Sequence, residues 1–216
     1  MPEMLARTLR HEVGDFLQKV YATVAILQTM LPKEKTEEHN LLATLRLRAE
    51  GCRDLMNAVQ DFLCPVILAC EPVDLARVAA QRSAAAQVRF PGIEILTEAA
   101  GAGVVNADPL RTAQIADIAL NNACEAAASR VVFRTSAAND RVDWSVLDDG
   151  PGVRPELQDR LFEPFLSTRP AHAGLGLPLA QKLVLLHGGQ IQAGGSPHGG
   201  FQLSIRFPRN GCSASE

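Results

Sequence analysis

The chain has 216 residues, of which 47% are hydrophobic and 21% charged, with a formal net charge of −3. That length suits one domain or two small ones with a real core, and so weak a negative charge gives no case for a nucleic-acid binder. The five cysteines Cys52, Cys64, Cys70, Cys124 and Cys212 are scattered, odd in number and free of CxxC spacing. They fit neither a disulfide framework nor a zinc site and read as reduced thiols in a cytoplasm. The first residues, Met1 to Leu5, lack the basic and apolar regions of a signal peptide. The densest apolar run, Phe62 to Cys70, is broken by Pro65 and too short to cross a bilayer, so no membrane segment is expected.

From about residue 3 to 31 the apolar positions Leu5, Leu9, Val13, Leu17, Val20, Val24, Leu27 and Leu31 recur at spacings of three and four, which predicts a helix with one buried stripe ended by Pro32. After a charged turn, Thr36 is the expected N-cap of a second helix, with Glu37 and Glu38 in its first turn. Leu42, Leu45, Ala49, Cys52, Met56, Val59 and Leu63 continue the spacing to Pro65. Two helices of roughly 28 residues, about 42 Å each, form an antiparallel hairpin whose stripe stays wet unless a second copy completes a four-helix bundle. Beyond Pro65 the pattern changes. Helices are expected over 74–89, 109–128 and 178–187, and strands over 93–97, 130–135, 142–147, 190–192 and 201–207. Mixed strands and helices of this kind suggest an α/β sandwich with helices on one sheet face, followed by a disordered tail from Asn210 onward.

His11 lies about 200° around the first helix from both Leu9 and Val13, so it is expected to point away from the buried stripe. Glu12 beside it is placed to hold one ring nitrogen or take its proton, which makes the other nitrogen a better nucleophile. A solvated polar face is the plain alternative. Gly150 and Gly152 follow an apolar strand and let backbone approach a planar ligand, while the Asp148 carboxylate suits an exocyclic amine such as that of adenine. Gly174-Leu175-Gly176-Leu177 precedes a helix, so its N–H groups and the helix dipole are placed to cradle phosphates, with Ser167, Thr168 and Arg169 as further donors. Asn122 offers a neutral oxygen suited to magnesium. Singly, each of these motifs is equally a tight turn, a helix start or a surface amide.

In order, however, these segments resemble the core of bacterial sensor histidine kinases. The resemblance rests on a histidine box at Leu9-Arg10-His11-Glu12-Val13 and an asparagine box from Ala107-Asp108-Pro109 to Asn122-Ala123-Cys124-Glu125-Ala126. A glycine box at Asp148 to Gly152, a phenylalanine box at Leu161-Phe162-Glu163-Pro164-Phe165 and a second glycine box at Gly174 to Leu177 complete it. It implies an α+β protein: a dimerisation and histidine-phosphotransfer hairpin over 1–65, an ATP-binding domain of Bergerat (GHKL) type over 66–210, and a tail over 211–216. It further implies His11 as phosphoacceptor, Glu12 as general base, Asp148 on the adenine amine and Asn122 on Mg²⁺. Gly150, Gly152, Thr168, Arg169, Gly174, Leu175 and Gly176 would line the ATP site.

Some positions depart from the pattern. A second asparagine, usual four residues before Asn122, is Ile118 here, and Asp15 stands where many relatives carry Thr or Asn. The lid keeps Ser-Thr-Arg-Pro but has Ala171-His172-Ala173 after it. The expectation is a homodimeric kinase that autophosphorylates His11 from Mg-ATP and passes the phosphoryl group to a response-regulator receiver domain, with a separate sensor protein as a further candidate partner. A histidine phosphotransferase with a decayed ATP domain is the alternative that Ile118 favours. An ATP-driven conformational clamp is disfavoured, because this chain lacks the hydrolytic glutamate such clamps use and carries a histidine hairpin they do not need.

Overall fold

The computed structural model describes residues 2–32, 35–167, 173–196 and 199–212, without the side chains of 2–11, 54, 55 and 58. Two compact units emerge. One comprises residues 1–66 with 167–175, the other 67–166 with 176–216.

In the first unit, α1 (Pro2–Met30) and α2 (Thr36–Leu63) form the hairpin. Arg53 lies over the Tyr21 ring while His39 reaches the Pro32 carbonyl, so the helices run antiparallel. Lys35 rather than Thr36 is the N-cap of α2, and it makes no side-chain capping bond. The expected stripe is only partly covered. Leu17, Val24, Leu42 and Ala49 are buried, but Leu27, Leu45 and Leu63 remain exposed, as do Phe16, Ile26 and Met30. Two helices bury one seam between them, and the wider apolar arc of each faces outward.

Among the described residues of the second unit, β2 (Glu94–Ala100), β4 (Arg130–Ala137), β5 (Arg141–Asp148), β7 (Phe201–Pro208) and β6 (Gln190–Gly195) form one sheet in that spatial order. β2 pairs with β4 in parallel, and every other pair is antiparallel. Helices α3 (Leu75–Arg89), α4 (Pro109–Ala126) and α5 (Gly176–Leu186) pack on it. Alternation selects the inner face: Val142, Trp144 and Val146 of β5 meet Phe207, Ile205 and Leu203 of β7. Trp144 sits edge-on to Phe133 and Phe207, each at 5.2 Å, which is the favoured aromatic geometry. The outer face is polar, with Arg134 paired to Glu98 and Arg206 to Asp143.

A short antiparallel pair, β1 (Glu71–Asp74) with β3 (Val104–Ala107), has no counterpart in the sequence reading. Four-residue strands carry too little alternation to register. A 3₁₀ segment at Pro155–Arg160 was likewise not expected.

Two expectations are corrected. Cys70 and Cys212 form a disulfide 142 residues apart in sequence, leaving Cys52, Cys64 and Cys124 as thiols. Spacing could not show it, because the fold brings the two partners together. For the same reason the tail expected over 211–216 is not a tail at its start. Cys212 is buried and its carbonyl accepts from Asn106 Nδ2 at 2.7 Å.

No described helix is long and apolar enough to cross a membrane.

Candidate functional site

The inward alternation of β5 ends on Asp148, which carries a carboxylate where the preceding positions carry apolar groups; it is 5% exposed. Its Oδ1 accepts from the Gly150 N–H at 2.9 Å and the Phe201 N–H at 3.3 Å. Two chain reversals close on this residue, and each tolerates only glycine. A Cβ on Gly200, whose φ is +83°, would lie 2.0 Å from the Asp148 carbonyl oxygen. A Cβ on Gly150 would lie 2.2 Å from the Ala126 carbonyl oxygen, so the close approach expected toward a ligand is made here toward the last turn of α4.

Asp149, next in sequence, faces outward and does a different job. It accepts from the backbone N–H groups of Ala128, Ser129 and Arg130 and from the Ser129 hydroxyl, tying the turn after α4 to the end of β5. The Ser129 hydroxyl bond and then these backbone donors hold its carboxyl well below the usual carboxylate range.

Gly176 opens α5, whose first turn carries no acidic residue, so the positive end of the helix is uncompensated. The wall opposite is α4. From the position a Gly176 Cβ would take, Ile118 Cγ2 is 3.5 Å away and Asn122 Nδ2 3.7 Å. These residues stand one turn apart and so share a stripe. The helix is held in that rotation along its length. Asp108 caps its N-terminus through the N–H groups of Leu110 and Arg111, and Asp108 Oδ2 also accepts from the Ala69 N–H at 2.9 Å. Burial raises the Asp108 pKa, but these backbone donors outweigh it and the net shift is downward. Midway, Arg82 of α3 grips Asp117 with two nitrogens. Buried Ala116, Ala119, Leu120 and Ala123 seat the far side.

Magnesium requires oxygen ligands close to octahedral geometry. Here one amide and one methyl group face the start of α5, and among the described residues no three His, Cys, Asp or Glu side chains converge on a metal position. Asn122 supplies one amide group to this turn, which fits an ion that takes its other ligands from phosphate and water oxygens.

Asp148, Gly150 and Gly152 (φ +73°) thus cluster at the end of β5, while Asn122 and Gly176 meet across α4 and α5. Just before α5, Gly174 has φ +65° and Leu175 is buried. Glu12 is exposed on α1, and His11 lies on the same helix with its side chain outside the described set. Thr168 and Arg169 lie outside the described residues. The sequence reading did not single out Gly200 and Phe201, although both fix Asp148. The Gly199-Gly200 pair before an alternating strand was a signal, but only the β5–β7 register shows which residue it touches.

Residues 107–211 match the family of histidine kinase-, DNA gyrase B-, and HSP90-like ATPases. The chain is 26% identical over 217 residues to the sensor histidine kinase ZraS of Escherichia coli (strain K12), covering 95% of this chain and 45% of that protein. It is 31% identical over 113 residues to the sensor protein FixL of Bradyrhizobium diazoefficiens, covering 50% and 22%. Full-length ShkA in complex with AMPPNP superposes with a TM-score of 0.82 at 29% identity, over 98% of this chain and 47% of that one. The mycobacterial sensor histidine kinase MprB gives 0.60 at 25% identity, over 65% and 98%. The chain therefore spans about half the length of the curated full-length relatives it matches.

Proposed function

From a chain that carries a two-component histidine kinase catalytic core, we propose an ATP-dependent protein-histidine kinase that phosphorylates its own His11 and passes the phosphoryl group to an aspartate of a response-regulator receiver domain. The observation that carries this reading is Asp148, a buried carboxylate held by two backbone donors beside a glycine loop. It supplies a charged acceptor for the adenine amine. The start of α5, with Gly174, Leu175 and Gly176, offers N–H groups and dipole to the phosphates, and the family resemblance implies Thr168 and Arg169 as further donors.

In the transfer, a ring nitrogen of His11 attacks the γ-phosphorus, the bond to the β-phosphate oxygen breaks, and ADP leaves. Glu12 takes the imidazole proton. Little covalent chemistry falls to the protein, so positioning and charge decide the rate. On this turn of α4 Asn122 would hold Mg²⁺, which would neutralise charge on the transferring phosphoryl group.

The exposed apolar residues of the hairpin support a homodimer, since each Å² of apolar surface left in water forgoes about 25 cal/mol.

Incubation with γ-labelled ATP should put acid-labile phosphate on the wild type and none on His11→Gln, with nucleotide binding retained in both. Label that survives in the variant places the phosphoacceptor elsewhere. The second reading, a histidine phosphotransferase, is favoured by the Ile118 methyl beside Gly176. It takes over if the protein binds no ATP yet accepts phosphate on His11 from a phosphorylated receiver domain.

A further inference from the structure

We propose that the Cys70–Cys212 bond is a thiol-responsive clasp on the segment that joins the hairpin to the ATP domain. Closed, it fixes the end of that segment. Opened by a low-molecular-weight thiol, it frees the segment and speeds phosphoryl transfer to His11. The responsive character rests on the ATP-site reading above, because ATP is met where thiols are kept reduced, and a disulfide there is transient or redox-sensing far more often than permanent.

The two sulfurs belong to the first and last segments of the second unit. Residues 64–70 carry no helix or strand and lead from α2 to β1, while Cys212 follows β7. Between them lies the junction of β3 with α4. On one side Glu71 pairs with Ala107, and the Ala69 N–H reaches Asp108 Oδ2 at 2.9 Å. On the other side the Asn106 N–H reaches the Arg209 carbonyl at 2.9 Å, and Asn106 Nδ2 the Cys212 carbonyl at 2.7 Å. The bond closes over this junction with its Cα atoms 6.2 Å apart, inside the ordinary disulfide range. A Cβ on Gly211 would lie 2.4 Å from the His187 carbonyl oxygen, so Cys212 is seated by backbone as well as by its sulfur. Reduction therefore releases the Cys70 side.

Access differs in the same sense. Cys212 is 4% exposed and Cys70 is half-buried, so exchange begins at the Cys70 sulfur. A thiolate attacks it, and the Cys212 thiolate leaves and takes up a proton. A second thiolate then attacks the small-molecule sulfur of the mixed disulfide and expels the Cys70 thiolate, leaving two cysteine thiols and one small-molecule disulfide. The joining segment keeps the Ala69 bond and the four-residue pairing of β1, a strand short enough to fray. Transfer between the units turns on the residues that join them, and the closed clasp withdraws some of those residues from the motion.

The full chain equilibrated natively with millimolar reduced or oxidised glutathione tests this. Thiol counts in denaturant should be five after the first treatment and three after the second. Amides of residues 69–71 should exchange hydrogen about tenfold faster in the reduced protein. Label from γ-labelled ATP should reach His11 about threefold faster, with ADP affinity unchanged by calorimetry. Cys70→Ser and Cys212→Ser should match the reduced wild type in both media, whereas the double variant Cys52→Ser, Cys64→Ser should keep the response.

A bond that stays closed in reduced glutathione, or never forms in oxidised glutathione, overturns the proposal. So does opening that leaves either the exchange or the labelling rate unchanged, and so does a response retained in Cys70→Ser. Absence of any label in both states is a different failure, which removes the kinase reading, and the exchange of residues 69–71 still decides whether the clasp exists.

Discussion

At the scale of single residues, two adjacent aspartates show how position decides role. Asp148 is buried and accepts two N–H groups through one oxygen, while Asp149 is exposed and accepts four donors that have no connection to a ligand. In the sequence the pair is one motif, and only the inward alternation of β5 separates them. Asp148→Asn exchanges a charged acceptor for an amide whose NH₂ can oppose the adenine amine. With about 1.5–3 kcal/mol for a hydrogen bond to a charged group, ADP binding should weaken roughly tenfold or more by calorimetry. Unchanged affinity would mean that the adenine does not meet this residue.

At the scale of elements, α4 is the part on which the site depends, and a buried histidine locks its first turn. His187, at the end of α5, donates from Nδ1 to the Leu183 carbonyl at 2.8 Å and accepts the Asp108 N–H on Nε2 at 3.0 Å. A protonated ring has no acceptor for that N–H, and burial lowers the His187 pKa, with the Leu183 bond and Asp108 opposing. The unfolded chain therefore takes up the proton first as the pH falls. Stability is full above the unfolded value of about 6.5 and declines below it, until the lower folded value is reached. Denaturant unfolding should show wild type losing stability between pH 7 and pH 5. His187→Gln, less stable at pH 7, should lose the histidine's share of that slope. An equal slope in both proteins would show that His187 does not stay neutral in the fold.

At the scale of the whole molecule, the Cys70–Cys212 bond joins the segment after the hairpin to the segment after β7, beside the capped start of α4. Thiol titration of unreduced protein in denaturant should find three reactive groups, Cys52, Cys64 and Cys124, rather than five. In the native state Cys124 should react slowly, because burial pushes its thiol up to about 11. Crosslinks closing loops of this length stabilise by about 5 kcal/mol in chain-entropy terms, so reductant should lower the melting temperature by several degrees. A count of five thiols would show that both cysteines are reduced.

What the sequence determined by itself was whatever repeats locally or matches a motif. The long periodic hairpin, the α+β class with its alternating strands, and the histidine kinase resemblance were all legible in it, since each is carried by neighbours in the chain. What the tertiary structure alone decided involves residues distant in sequence. These are the short β1–β3 pair, the Cys70–Cys212 bond, the Phe201 N–H on Asp148, the packing of Gly150 on Ala126, and the meeting of Ile118 with Gly176. Spacing along a chain reports which face a side chain takes. It does not report what lies against that face, because strand register and helix packing are set by burial over the whole sheet.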